Sequence, residues 1–182
     1  MGLNRLRHRL LQIDGGRLIP ATELEWEDNV TAALQPEEWP GDVLDELEAG
    51  VVMVMSDIRT GSRAPMWPSP LTGGHVRTGG NSRHSTHGGE RLSDAIDYFV
   101  RWADAARVLE VARRHPAVGG LGIYDSMMLN GEPGDHCMFH IDTRQDRVCW
   151  VGHGREPVEY VSQLHDPARY HRLIGAMLEA HA

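Results

Sequence analysis

The chain has 182 residues, with 26 acidic side chains against 18 Lys and Arg for a net charge of -8; that length suffices for one domain with a substantial core, no internal repeat suggests an array, and the acidic balance argues against binding nucleic acid by counterion release. Cys137 and Cys149 are the only cysteines, too few for a stapled secreted scaffold or a four-cysteine zinc site. No apolar stretch is long enough to span a bilayer, and none follows Arg5, Arg7 and Arg9 as a secretory signal requires.

In chain order, Thr22-Glu23-Leu24-Glu25 has the capping-box pattern and predicts a helix from Glu23 to Leu34, stopped by Pro36. A second short helix is expected over Asp42 to Ala49, so residues 1–50 read as an acidic helical cover whose carboxylates face solvent. Val51-Val52-Met53-Val54-Met55 is a continuous, β-branched apolar run and is expected to be a buried strand. From Asp57 to Ser93 the chain is rich in Gly, Pro, Ser and His, including His75, His84 and His87, with almost no apolar periodicity. Inside a compact domain a loop of that length is either functional or disordered.

Asp94 to Val100 reads as a strand, and the Ala-rich segment Ala103 to Ala112 as an amphipathic helix ending before Pro116. Val118 to Tyr124 is extended. Cys137 to Asp142 and Arg147 to Val151 are expected to form a hairpin joined by Thr143 to Asp146. A last helix from Pro167 to Glu179 closes the chain, with Pro167 suited to a first-turn position.

On the penultimate strand, His140 and Asp142 are two residues apart and face the same way. Upstream, His84 and Asp97 supply a second imidazole and a second carboxylate. Zinc takes neutral imidazole and carboxylate ligands in a tetrahedral set, and a catalytic site keeps one position for water. His84, Asp97 and His140 would fill three positions and leave the fourth open. His87 and Asp94 compete with His84 and Asp97 for the first two places.

The order of motifs resembles the zinc D-alanyl-D-alanine peptidases of bacterial cell walls and phage lysins, which share a fold with the Hedgehog signalling domain. The family shows a strand ending in Ser-Gly-x-Arg, then Asn-Ser-x-His, Gly-x-Ala-x-Asp, a helix, a Gly-x-Gly-x-Tyr strand, and a late His-x-Asp or Glu-x-x-His. This chain offers Ser56-Asp57-Ile58-Arg59, Asn81-Ser82-Arg83-His84, Ala95-Ile96-Asp97, Gly120-Leu121-Gly122-Ile123-Tyr124 and His140-Ile141-Asp142. It departs from the pattern in the longer spacing between His84 and Asp97, where His87 and Asp94 keep the family's spacing, and in Cys137, which stands where the other subgroup places its catalytic Glu.

The resemblance covers residues 51–151, with 152–182 as a C-terminal helix. It implies an α+β fold with a central, mainly antiparallel sheet and helices packed on it. It further implies one zinc ion on His84, Asp97 and His140, with Asp142 as general base or as the carboxylate that orients His140. Glu132, Asp135 and His136 are further candidates for the base. Arg59 is expected beside the substrate, pairing with its carboxylate or with the developing oxyanion. Tyr124 and Trp150 are candidates to wall the pocket, and Cys149 to lie beside His140.

The activity implied is hydrolysis of peptide bonds in peptidoglycan stems or cross-links, with no nucleic-acid partner and no membrane insertion. The enzyme would be made in the cytoplasm and would reach the wall on release or as part of a virion; oligomeric state is left open. A non-catalytic module of a phage particle that keeps the fold is the alternative. A serine hydrolase is disfavoured because the chain lacks a Gly-x-Ser-x-Gly elbow.

Overall fold

A computed structural model describes residues 21, 34–71, 73–125, 134–154 and 158–181. The expected helix over Glu23 to Leu34 lies, but for Leu34, outside the described residues, as does Glu132. After short 3-10 turns at Pro36–Glu38 and Val43–Asp45 come α1 (Ala49–Ser62), β1 (Met66–Pro68), β2 (Ala95–Arg101) and α2 (Trp102–Arg114). Then follow β3 (Gly120–Tyr124), β4 (His136–Asp142), β5 (Val148–His153), β6 (Glu159–Ser162) and α3 (Pro167–Glu179). The six strands make one sheet in the order β1-β2-β4-β3-β5-β6, antiparallel except for the β3–β5 pair. Helices and a mainly antiparallel sheet together make the fold α+β.

Two expectations for the first half are overturned together. Val51 to Met55 is the first half of helix α1, and the helix expected over Asp42 to Ala49 is a single 3-10 turn. A run of apolar residues does not distinguish a buried strand from a helix buried nearly all round. In α1, Val51, Val52, Met55, Ile58 and Ser62 are all buried, a helical spacing that continues past the apolar run. The helix stops where Arg63 takes the left-handed conformation (φ 52).

α1 packs on α2, where Gly61 meets Val111 and Asp57 reaches His115. Helix α2 buries Trp102, Ala105, Val108, Leu109 and Ala112, one stripe at helical spacing. Asp166 caps α3 by accepting from the Arg169 amide at 3.0 Å, ahead of Pro167.

The two expected strands around Thr143 to Asp146 exist, but they do not pair with each other. β3 inserts between them, antiparallel to β4 and parallel to β5. The connection is held across the start of β3 by Arg147, which donates to the carbonyls of Val118, Arg113 and His115. Short sequence separation favours a hairpin, yet a strand can enter from elsewhere when its surface fits both neighbours.

The pleat sorts the sheet into two faces. Ile96, Tyr98, Val100, Phe139, Ile141, Leu121, Ile123, Val151 and Val161 belong to the main core with residues of all three helices. The alternate residues point to the other face, where they align across strands by register. One row runs Asp97, His140, Gly122, Trp150, Ser162, and a second runs Phe99, Met138, Tyr124, Gly152, Tyr160. That face, opposite the three described helices, carries the candidate site.

Candidate metal centre

Two adjacent central strands supply the first two side chains of the site. Asp97 on β2 stands opposite His140 on β4, so an aspartate and an imidazole share one cross-strand pair. The third comes from the loop between β1 and β2, which is held at several points by hydrogen bonds. Arg77 donates its amide to the His84 carbonyl, Thr86 donates to the Arg77 carbonyl, and Asp97 donates to the Gly74 carbonyl, each at 2.8 Å. Ser93 Oγ donates to the His75 carbonyl at 2.6 Å, and Arg91 donates to the carbonyls of Ser85 and Ser82. The polar residues of this stretch satisfy backbone groups that would otherwise be orphaned.

Together these elements bring His84 Nε2, His140 Nδ1 and Asp97 Oδ1 to one point. The nitrogens are 3.1 Å apart, His140 Nδ1 is 2.9 Å from Asp97 Oδ1, and His84 Nε2 is 3.4 Å from it. All three residues are buried and could hold a metal ion. Ligand atoms about 2.0–2.1 Å from a tetrahedral ion stand about 3.3 Å from one another, close to the separations observed.

The outer nitrogen of each imidazole fixes what the inner one presents. His84 Nδ1 faces the His75 carbonyl at 3.3 Å, and His140 Nε2 faces Asp142 Oδ2 at 3.1 Å. Carbonyl and carboxylate oxygens only accept, so both outer nitrogens carry hydrogen and, when the rings are neutral, both inner nitrogens turn lone pairs toward Asp97. Two lone pairs and a carboxylate so close repel one another unless a cation or a proton sits among them. The donor set therefore fits a metal ion, with a carboxylate and a carbonyl behind the imidazoles in the manner of metal-site outer shells.

Electrostatics lead to the same place. For Asp97, burial alone would raise the carboxyl, but His140 and His84 outweigh it and hold it far below the usual carboxylate range. Burial pushes the His140 imidazolium down, while Asp142 and Asp97 on either side of the ring outweigh burial and lift it to about 9. His75, behind His84, is pushed down to about 4 by burial and stays neutral.

Asp142 is fully buried on the outer side of His140. Its oxygens accept from the Gly120 amide at 2.8 Å, from the Arg144 amide at 3.1 Å and from the Arg144 guanidinium. Burial would raise this carboxyl, but His140 and Arg144 together hold it below the carboxylate range. Of the two roles expected for Asp142, this position suits orientation of the ligand imidazole, because every direction in which it could take a proton is already filled.

The glycines of β3 make room for this arrangement. A Cβ on Gly120 would lie 2.1 Å from Asp142 Oδ2, and one on Gly122 would lie 2.5 Å from Trp150 Cε2. Trp150 lies across Gly122, its ring 5.0 Å from that of His140, and donates from Nε1 to Tyr124 Oη at 2.9 Å. Trp150, not Cys149, is thus the neighbour of His140. Cys149 pairs with Leu121 and turns to the main core.

A cleft of about 430 Å³ opens over the cluster, walled in part by Tyr124, Trp150 and the exposed Tyr160, with Arg77, Arg83 and Arg144 also lining it. Arg59 is not among its walls. It sits in the last turn of α1 and is held by Glu38 at 2.7 Å. The competitors are elsewhere too: His87 is exposed on the loop and Asp94 is ion-paired with Arg83. Asp135 is exposed, and His136 lies edge-on against Trp67. Arg77 and Arg144 carried no motif signal, although Arg144 lies only two residues beyond Asp142.

Comparison of the chain with known protein families, with curated proteins and with solved structures finds no match.

Proposed function

We propose that the protein is a zinc-dependent peptidase acting on the peptide bonds of bacterial peptidoglycan. The observation that carries this reading is the convergence of His84 Nε2, His140 Nδ1 and Asp97 Oδ1 at the floor of an open cleft. A zinc ion held by these three atoms would supply Lewis acidity and an activated water at its remaining position. The chain's own residues divide the other tasks. Asp142 and the His75 carbonyl hold the two imidazoles in their ligating tautomers. Trp150 donates to the Tyr124 hydroxyl, so the phenol hydrogen is left to donate elsewhere. Burial pushes the Tyr124 phenol up, which keeps it protonated and able to donate to a developing oxyanion. The resemblance in motif order over residues 51–151 supports peptidoglycan as the substrate.

One observation favours a second reading, a metal-holding binding module without catalysis. Among the described residues lining the cleft, the one carboxylate is Asp97, which is already engaged by both histidines. Incubating the zinc-loaded protein with purified peptidoglycan of several cross-link chemistries, and measuring new amino termini, separates the two. Release that stops on chelation and returns with zinc is the expected result. Stoichiometric zinc without release from any wall type would remove the peptidase reading and leave the module.

A further inference from the structure

Among the described residues, three arginines, Arg77, Arg83 and Arg144, and one acid, Asp97, line the cleft. Two of the three arginines are committed to structure: Arg83 is paired with Asp94, and Arg144 clamps Asp142 while lying 5.6 Å over Trp150.

Arg77 differs. Its Nε donates to the Gly73 carbonyl at 2.8 Å, and among the described residues nothing accepts from its two terminal nitrogens. Its backbone is bonded on both sides to the segment that carries His84, through the His84 carbonyl and the Thr86 amide. The base of the side chain is therefore fixed relative to a candidate metal ligand, while the exposed side chain lines the cleft. Two parallel N–H groups on a planar fork match a carboxylate.

We infer that Arg77 anchors a carboxylate of the substrate, so that the cleft selects carboxylate-bearing peptides. This rests on the metal-peptidase reading, and it assigns to Arg77 the carboxylate contact that motif order alone would give to Arg59.

A metal-anchored probe tests the anchor without knowledge of the natural peptide. Acetohydroxamate, a series of hydroxamates carrying a terminal carboxylate on arms of increasing length, and the matching terminal amides are titrated calorimetrically into the zinc-loaded full chain. At the best arm length the acid is expected to bind about tenfold or more tighter than its amide, with the advantage shrinking at high salt. In Arg77→Gln the advantage is expected to vanish while acetohydroxamate binds as before. Equal affinity of acid and amide at every length in the wild type overturns the inference. An advantage that survives in Arg77→Gln also overturns it, by placing the anchor on another residue. Failure of acetohydroxamate to bind the wild type would instead strike the metal reading, and the inference falls with it. The wild-type acid and amide comparison decides the matter even where the variant folds poorly.

Discussion

Loading the cluster with a metal is expected to expel a proton from His140, so affinity should climb with pH. In the metal-free protein burial disfavours the imidazolium, but Asp142 and Asp97 outweigh it and raise the group to about 9. Below that value Nδ1 carries a proton in the direction a metal must occupy. Each pH unit below it therefore weakens apparent binding about tenfold, on the order of a thousandfold between about pH 9 and about pH 6. Stability of the metal-free protein runs the other way. The folded value lies above the unfolded value of about 6.5, so the His140 contribution, about 3 kcal/mol, is fully present below about pH 6.5 and is lost as pH rises through about 9. Calorimetric zinc titration in buffers of different ionisation enthalpy, with a competing chelator, counts the released protons. About one proton per zinc near neutral pH is expected. A flat affinity across this range with no proton released would refute the electrostatic account of the site.

Asp142→Ala should weaken metal binding about 10–100-fold without abolishing it, the range for loss of a ligand-orienting carboxylate, as measured by chelator competition. His84→Ala and His140→Ala should each lose the bound metal in elemental analysis, whereas His87→Ala should keep it; loss in His87→Ala would reassign the loop ligand. Gly122→Ala places a Cβ 2.5 Å from the Trp150 ring, and should lower the unfolding free energy in urea by about 1–3 kcal/mol, because the ring must leave Tyr124 and His140. An unchanged midpoint would show that Trp150 does not lie across β3.

The parts of the fold legible in the sequence were those where one periodicity excludes the other. Helix α2 shows a single apolar stripe, and α3 is bounded by Asp166-Pro167 at its start. The chemistry of His140 and Asp142 was legible for a related reason: alternation on a strand fixes which residues share a face. Helix α1 was not, because burial on nearly all sides removes the polar stripe that reveals a helix. That error carried a second one with it. Arg59 was expected in the cleft because it followed an assumed strand, and once residues 51–55 coil into a helix, its guanidinium goes to Glu38. The insertion of β3 between β4 and β5 is a property of surfaces, of Gly120 under Asp142 and Gly122 under Trp150, and chain separation carries no trace of it. The choice of His84 over His87 depends on the loop's path, set by the pairing of Arg77 with the segment at 84–86.

The three candidate ligands do not rest on equally firm ground. Asp97 and His140 are cross-strand partners at the centre of the sheet; their separation is fixed by the ladder. His84 depends on an irregular loop, and its Nδ1 is oriented by the carbonyl of His75, which itself accepts from Ser93 Oγ at 2.6 Å. Ser93 is fully buried and also ties the loop's exit to Glu46 and Glu48 through its own backbone. Ser93→Ala leaves those backbone bonds in place and removes one hydroxyl, at a cost of about 1–3 kcal/mol for a buried acceptor that loses a partner. If the hydroxyl serves only general stability, metal-free and metal-loaded protein should lose the same amount in denaturant unfolding. If it holds the His75 carbonyl where His84 needs it, the loaded protein should lose more, and zinc affinity should fall in the same variant. Equal losses with unchanged zinc affinity would show that the loop ligand is held by its other bonds and that Ser93 has no part in organising the centre.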